Sequence, residues 1–346
     1  MMTPYIEIEG RKIGRDFSPL VIAEIGINHE GDFEKALQMI DDAVAAGCEC
    51  VKFQCHVIED EMIPNDVIPG NATESIWDIM ARCALTEEEE VKLMAYCRGK
   101  GVIYMSTPFS RAAADRLEQM GVSAYKIGSG ECNNFPLIEH IAKFGKPVIL
   151  STGMNDLTTI TKSVAILRKH NIQFALLHCT SMYPTPYEKI RLGALHELQT
   201  EFDDAVVGLS DHSLSNFPCL GAVSCGASIL ERHFVSDKKW PGPDVEISMN
   251  PAELKELING SKIIHQCLGG SKEILAEEQP TIDFAYATVV SIAKIKKGDT
   301  FSKDNLWVKR PGTGEILAAD YENILGKTAA IDIPDKVHIK LDWVIQ

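Results

Sequence analysis

A (β/α)8 TIM barrel followed by a small C-terminal β-rich unit is the fold class this sequence predicts, on three observations. Eight short apolar, β-branched runs recur between Leu20 and Phe234, each ending in polar or charged residues. Stretches with helical amphipathic spacing separate them, which argues for parallel βαβ units, and a count of eight argues for a closed barrel. The 346 residues exceed the roughly 250 typical of one such barrel, and the surplus lies after residue 270.

The elements follow in order. YIEIEGRKIG (5–14) reads as a hairpin turning at Glu9-Gly10 and placed to cover the barrel bottom. The barrel runs are LVIAEIGIN (20–28), CECVKFQC (48–55), VIYMSTPF (102–109), AYKIGS (124–129), VILSTGM (148–154), FALLHCTS (174–181), VVGLSDH (206–212) and ASILERHF (227–234). Helices are expected over 33–46, 87–98, 111–120, 136–144, 157–170, 192–202, 215–225 and 251–268. Thr86 ahead of Glu87, Glu88, Glu89 and Glu90 is an N-cap with acids on the positive end of a helix. Residues 56–85 form a βα connection of about thirty residues, against the usual two to six. On the catalytic face of a barrel, that length points to substrate binding. The division is therefore 1–269 for the barrel with its hairpin, 270–283 for a linker, and 284–346 for a unit of short strands. At about 60 residues that unit is small for an independent domain, so it is expected to lean on a barrel or a partner chain.

Composition narrows the classes. With 45% hydrophobic and 24% charged residues the chain reads as globular, and its net charge of −15 disfavours nucleic acid or an anionic membrane as partner. No run approaches the roughly 18 apolar residues of a bilayer span, and the start lacks a signal-peptide pattern, so a cytoplasmic location is expected. Ten cysteines without a CxxC pair read as reduced core thiols.

Strand alternation places Glu24, Gly26 and Asn28 on one inward face, with Lys52 and Gln54, Ser210 and His212, and Glu231 and His233 on others. Charges inside a barrel cost several kcal/mol each unless paired or used. His212 and His233 end neighbouring strands and either converge on one metal ion or hydrogen-bond separately; Glu231 or Asp211 is placed to orient an imidazole. Lys52 and Lys126 either bind an anion or form a Schiff base. Ser106-Thr107, Gly128-Ser129-Gly130 and Ser151-Thr152-Gly153 offer hydroxyls and approachable backbone N–H groups, which favours an anionic, phosphorylated substrate. Glu131 is open to a catalytic or a helix-capping reading, and Tyr183 to rim packing or substrate contact. His29 and His178 read as structural.

AEIGINHEG, VKFQ, IPGNA, STPFSRAAADRL, YKIGSGECNNFPLI, ILSTGMN, YPTPY, GLSDHS, ILERHF, PGPD and NLWVKRPGTG together resemble the bacterial N-acetylneuraminate (sialic acid) synthases over nearly the whole chain. The C-terminal unit resembles the antifreeze-like (SAF) domain of that family. The resemblance implies condensation of phosphoenolpyruvate with N-acetylmannosamine and water, with a divalent metal, Mn2+ foremost and Mg2+ or Co2+ as alternatives. It implies that His212 and His233 hold the metal, and that Lys52, Gln54, Thr107, Lys126, Ser129, Ser151 and Ser210 surround phosphoenolpyruvate. Asn71, Tyr183 and Asp244 would meet the amino sugar. Glu24 would move a proton, with Glu131 nearby. Arg310 would reach the partner's site in a domain-swapped homodimer. Two departures stand out: Ser181 replaces an asparagine expected on phosphoenolpyruvate, and Trp240 replaces a basic residue before PGPD. Legionaminate and pseudaminate synthases share the chemistry and are the nearest rivals; a Schiff-base aldolase and a non-catalytic glycan- or ice-binding module are more distant ones.

Overall fold

The computed structural model describes residues 3–345. The chain divides into two compact units between Gly269 and Gly270. In the first, β1 (Tyr5–Ile8) and β2 (Arg11–Gly14) form an antiparallel hairpin. Eight parallel strands follow: β3 (Leu20–Gly26), β4 (Cys50–Cys55), β5 (Ile103–Pro108), β6 (Tyr125–Ile127), β7 (Val148–Ser151), β8 (Phe174–Cys179), β9 (Val206–Asp211) and β10 (Ile229–His233). Their order is β5-β4-β3-β10-β9-β8-β7-β6, so the last barrel strand pairs with the first. The end strands β5 and β6 lie side by side and complete the ring by packing. The expected TIM-type barrel is present.

Period-two alternation divides the strand residues into two cores. Val51, Phe53, Leu209 and Leu230 point outward and are buried with helix residues such as Met39, Ile40, Leu93 and Leu117. Leu20, Ile22, Cys50, Ile103, Met105, Ile149, Leu177, Val206 and Ile229 point inward and pack with Ile6, Ile8 and Ile13 of the hairpin. The hairpin thus seals the bottom of the ring with an apolar floor. The same inward register, followed up the strands, delivers polar side chains to the top.

The helices expected between strands are all present, their ends shifted by at most two residues. Residues 56–85 are more ordered than a plain loop. They carry helices Ile58–Glu61 and Ile76–Cys83, the second capped by Ser75, whose Oγ accepts from the Asp78 N–H at 3.1 Å. Ile79 and Cys83 bury against Ile27, which fixes the excursion to the end of β3. The stretch expected as a linker also holds structure, a 3-10 turn at Ala276–Glu278 and the start of helix Gln279–Ala285.

The second unit contains two antiparallel pairs, β11 (Thr288–Ser291) with β12 (Leu306–Lys309) and β13 (Thr328–Ala329) with β14 (Val344–Ile345). Val289, Ile295, Phe301, Leu306, Ile316, Ile333 and Ile339 give it a core of its own. That differs from a unit stabilised only by leaning on something else: irregular segments, rather than long strands, supply the apolar residues. Among the described residues no helix is long and apolar enough to cross a membrane.

Candidate active site at the barrel mouth

At the carboxyl ends of the strands lies a cavity of about 280 Å3, and Glu24, Lys52, Gln54, Thr107, Lys126, Ser129, Ser151, Ser181, Tyr183, Ser210, His212 and His233 all line it. Each is delivered by the inward register of its strand or by the turn just beyond it. Glu231, Cys179, Phe109, Met154, Gly128 and Gly130 complete the wall.

A charge network occupies the floor of this cavity. Lys52 Nζ lies 2.6 Å from Glu24 Oε2 and 3.9 Å from Glu231 Oε2, and donates to Thr107 Oγ1 at 3.1 Å. Lys126 Nζ lies 3.4 Å from Glu231 Oε1 and donates to Ser151 Oγ at 2.7 Å. Ser210 donates to Glu231 Oε1 at 2.9 Å, and Gln54 Nε2 donates to Glu24 Oε1 at 3.1 Å. These four charged groups are almost fully buried, and mutual pairing is what makes their burial tolerable. Burial alone would raise Glu231, yet Lys126, Lys52 and the Ser210 hydroxyl outweigh it and pull its pKa down to about 2. The two lysines diverge. Burial lowers both, but Lys52 has two carboxylates and ends above its usual value, whereas Lys126 shares one, feels Lys52, and ends below it.

Beside the network stand the two imidazoles, with ring centroids 5.5 Å apart. Tyr183 stacks on His212 at 4.1 Å and meets His233 edge-on at 6.2 Å. His212 Nδ1 faces the Thr180 carbonyl at 3.1 Å and Cys179 Sγ at 3.8 Å, which leaves Nε2 free for a ligand. Burial opposes a charged His212, but Cys179 and the Thr180 carbonyl outweigh it and raise the ring to about 8. Burial holds His233 below its usual value even though Asp244 Oδ2 is 3.7 Å from Nδ1. His233 Nδ1 is buried without a hydrogen-bond partner. Two nitrogens each about 2.1 Å from one ion are compatible with this ring separation, so the pair fits two positions of a divalent cation. Among the described residues no three His, Cys, Asp or Glu side chains gather as a fuller ligand set, so the other positions would fall to substrate and water.

Other expected positions lie apart from the cavity wall. Asn71 lines a neighbouring cavity, where Nδ2 donates to the Pro243 carbonyl at 3.1 Å and approaches Asp244 Oδ1 at 3.4 Å. Asp244 therefore lies between Asn71 and His233. Glu131 is outside the wall: its Oε2 accepts from Asn134 Nδ2 at 2.5 Å, and Asn134 itself caps helix Phe135–Ala142, its Oδ1 accepting from the Leu137 N–H at 3.2 Å. Ser106 faces away from the cavity, and Thr152 spends its hydroxyl on the Leu177 carbonyl. Trp240 lies under Lys35, whose Nζ is 5.1 Å from the ring centroid. Arg310 is exposed in the second unit, directly after β12.

Two participants take parts that the sequence does not assign them. Glu231, inward as expected and one of two candidates to orient an imidazole, lies between both lysines. Cys179, read as a core thiol, lies on the cavity wall beside His212. Its signal was available, since Ala175, Leu177 and Cys179 share the inward face of β8. All ten cysteines are free, and only Cys225 and Cys267 are exposed.

Comparison with known proteins places the chain in a family. The NeuB family model matches residues 39–273, and the SAF domain model matches 286–335. The N,N'-diacetyllegionaminic acid synthase of Campylobacter jejuni is 36% identical over 90% of this chain and 95% of its own length. The spore coat polysaccharide biosynthesis protein SpsE of Bacillus subtilis is 36% identical over 98% and 97%. The crystal structure of N-acetylneuraminic acid synthetase from Leptospira borgpetersenii, in complex with citrate, superposes with a TM-score of 0.75 at 33% identity, covering 81% of this chain and 96% of that one. With a family model over most of the barrel and relatives of this identity along nearly the full length, the chain belongs to the NeuB family and carries an SAF domain C-terminal to its barrel in the sequence.

Proposed function

We propose that the chain is an N-acetylneuraminate synthase, condensing phosphoenolpyruvate with N-acetylmannosamine and water to give N-acetylneuraminate and phosphate. The observation that carries this reading is the pair of buried lysines, each countered by a carboxylate, beside two imidazoles at the mouth of the barrel. An anionic substrate entering there replaces part of the charge that Glu24 and Glu231 now supply to Lys52 and Lys126. Thr107, Ser129, Ser151 and Ser210 add hydroxyl donors around it. In the reaction, C3 of phosphoenolpyruvate attacks the aldehyde carbon of the open-chain sugar, water adds at C2, and the C2–O bond breaks as phosphate leaves. Glu24, held between Lys52 and Gln54 at the end of β3, is placed to move a proton in these steps. A divalent cation on His212 and His233, Mn2+ before Mg2+ or Co2+, would supply Lewis-acid polarisation of the aldehyde oxygen. Asn71, Tyr183 and Asp244 would orient the sugar. The same reading has two chains forming a homodimer, with Arg310 from one SAF domain completing the other chain's site.

The test is phosphate release from phosphoenolpyruvate and N-acetylmannosamine, with EDTA abolishing it and Mn2+ restoring it. His212→Ala is expected to remove the activity while circular dichroism stays unchanged. The Campylobacter relative favours one alternative, and phosphate release with the amino-sugar precursor of legionaminate or pseudaminate but not with N-acetylmannosamine would move the assignment to that type. Borohydride trapping of substrate on Lys52 or Lys126, indifferent to EDTA, would replace the mechanism with a Schiff-base aldolase. No phosphate release with any amino sugar would return the chain to a binding role.

A further inference from the structure

We propose that His56, held by Glu61 and stacked on Phe109, is a positioning residue that fixes the Gln54 amide and through it the Glu24 carboxylate. The inference rests on the functional reading above, which gives Glu24 its chemical part.

The geometry is a short relay leading outward from the cavity. Gln54 Nε2 is 3.1 Å from Glu24 Oε1, Gln54 Oε1 is 3.1 Å from His56 Nε2, and His56 Nδ1 is 2.8 Å from Glu61 Oε2. His56 is buried and its ring lies nearly parallel to Phe109, with centroids 4.8 Å apart and planes 12° apart. Glu61 ends helix Ile58–Glu61, the first turn of the long βα excursion.

Hydrogen-bond valence fixes the direction of this relay. Glu24 is paired with the Lys52 ammonium, so its carboxylate only accepts. Gln54 must then present its NH2 group to Glu24 and its carbonyl to His56. That carbonyl needs a donor, so His56 Nε2 carries a hydrogen. With Nε2 committed, the 2.8 Å contact between Nδ1 and Glu61 requires one proton between them, on either partner. The proton shared with Glu61 therefore keeps His56 in the donor form that Gln54 needs. Without that proton, the Glu61 carboxylate would take the ring's single hydrogen on Nδ1, turn the Nε2 lone pair toward Gln54, and the amide would gain by flipping its oxygen toward Glu24. A carboxylate facing an amide oxygen would shift, and Lys52 would lose part of its counter-charge. The ordered start of the long excursion is thus coupled to the carboxylate at the end of β3.

Three substitutions separate this role from simple packing. His56→Gln keeps a donor near the position of Nε2, His56→Asn keeps only a group near Nδ1, and His56→Phe keeps the stack on Phe109 but no donor. Positioning predicts that kcat for phosphate release falls about ten- to a hundredfold in the Phe and Asn variants, with KM for phosphoenolpyruvate within about threefold, as for supporting partners of catalytic groups generally. The Gln variant stays within about threefold of the wild type. Packing alone predicts the reverse order, with Phe tolerated and Gln and Asn impaired, and that result would overturn the inference. Crystal structures of the Phe and Gln variants give a readout that needs no turnover. The Gln54–Glu24 contact should persist in His56→Gln and be lost in His56→Phe; its survival in the Phe variant would equally overturn the inference. Wild-type protein that releases no phosphate with any amino sugar would instead overturn the functional reading, leaving the crystallographic comparison to judge His56.

Discussion

His29 shows how a buried side chain sets a limit on the molecule's acid stability. It is almost fully buried, and its Nδ1 accepts from the Gly31 N–H at 3.1 Å, which demands a ring without a proton on that nitrogen. Burial is the largest influence on it and holds its pKa at about 4. The unfolded chain would bind that proton near the usual 6.5, so between about 6.5 and 4 the unfolded state holds more protons than the folded one. The contribution is therefore complete above about 6.5 and drains away as pH falls toward 4, a loss on the order of 3 kcal/mol. Denaturation midpoints of wild type and His29→Gln, measured at pH 7, 5.5 and 4, should converge as the pH drops. Parallel curves would show that the ring's neutrality is not what the fold depends on.

The turns after the strands translate register into chemistry, and Gly153 after β7 is the clearest case. A Cβ there would come within 2.4 Å of Ser181 Oγ, 2.8 Å of Ser129 Oγ and 3.2 Å of Cys179 Sγ, while its N–H donates to Ser129 Oγ at 3.0 Å. Gly153→Ala must push both hydroxyls aside, and on the proposed function it should raise KM for phosphoenolpyruvate about tenfold or more while kcat falls less. An unchanged KM would remove Ser129 and Ser181 from the binding surface. This is also where the sequence was most and least legible. Alternation alone put Glu24, Lys52, Ser210, His212, Glu231 and His233 inward, because a strand's side-chain period is fixed at two and the apolar residues mark the other face. It could not put Glu231 between Lys52 and Lys126, since those residues sit on strands that are not neighbours and meet only across the ring. Nor did periodicity reveal the helices at Ile58–Glu61 and Ile76–Cys83. They are one and two turns long, too short for an apolar stripe to stand out, although Ser75 followed by Asp78 is a usable cap signal.

The closed ring gives the molecule a polarity that its overall charge opposes. The hairpin and lower strand residues make an apolar floor, so every inward charge is gathered at the mouth, where Lys52 and Lys126 are matched by Glu24 and Glu231. These four sum to zero, so on the proposed function the net positive charge at the mouth is the cation held by His212 and His233, small against the charge of the whole chain. The chain as a whole carries −15. On the proposed function phosphoenolpyruvate must approach against that field, whereas N-acetylmannosamine, being neutral, feels nothing of it. Salt should decide between them. The Debye length shortens from about 30 Å at 0.01 M to about 8 Å at 0.15 M, enough to screen the distant carboxylates while leaving the buried lysines unscreened. At a fixed free Mn2+ concentration, KM for phosphoenolpyruvate is expected to fall about two- to fivefold across that range, and KM for the sugar to stay constant. A KM for phosphoenolpyruvate that rises with salt would mean that a positive field at the mouth, stronger than the lysines and the cation supply, draws the anion in. On the proposed function, Arg310 of the SAF domain would then be the first residue to replace.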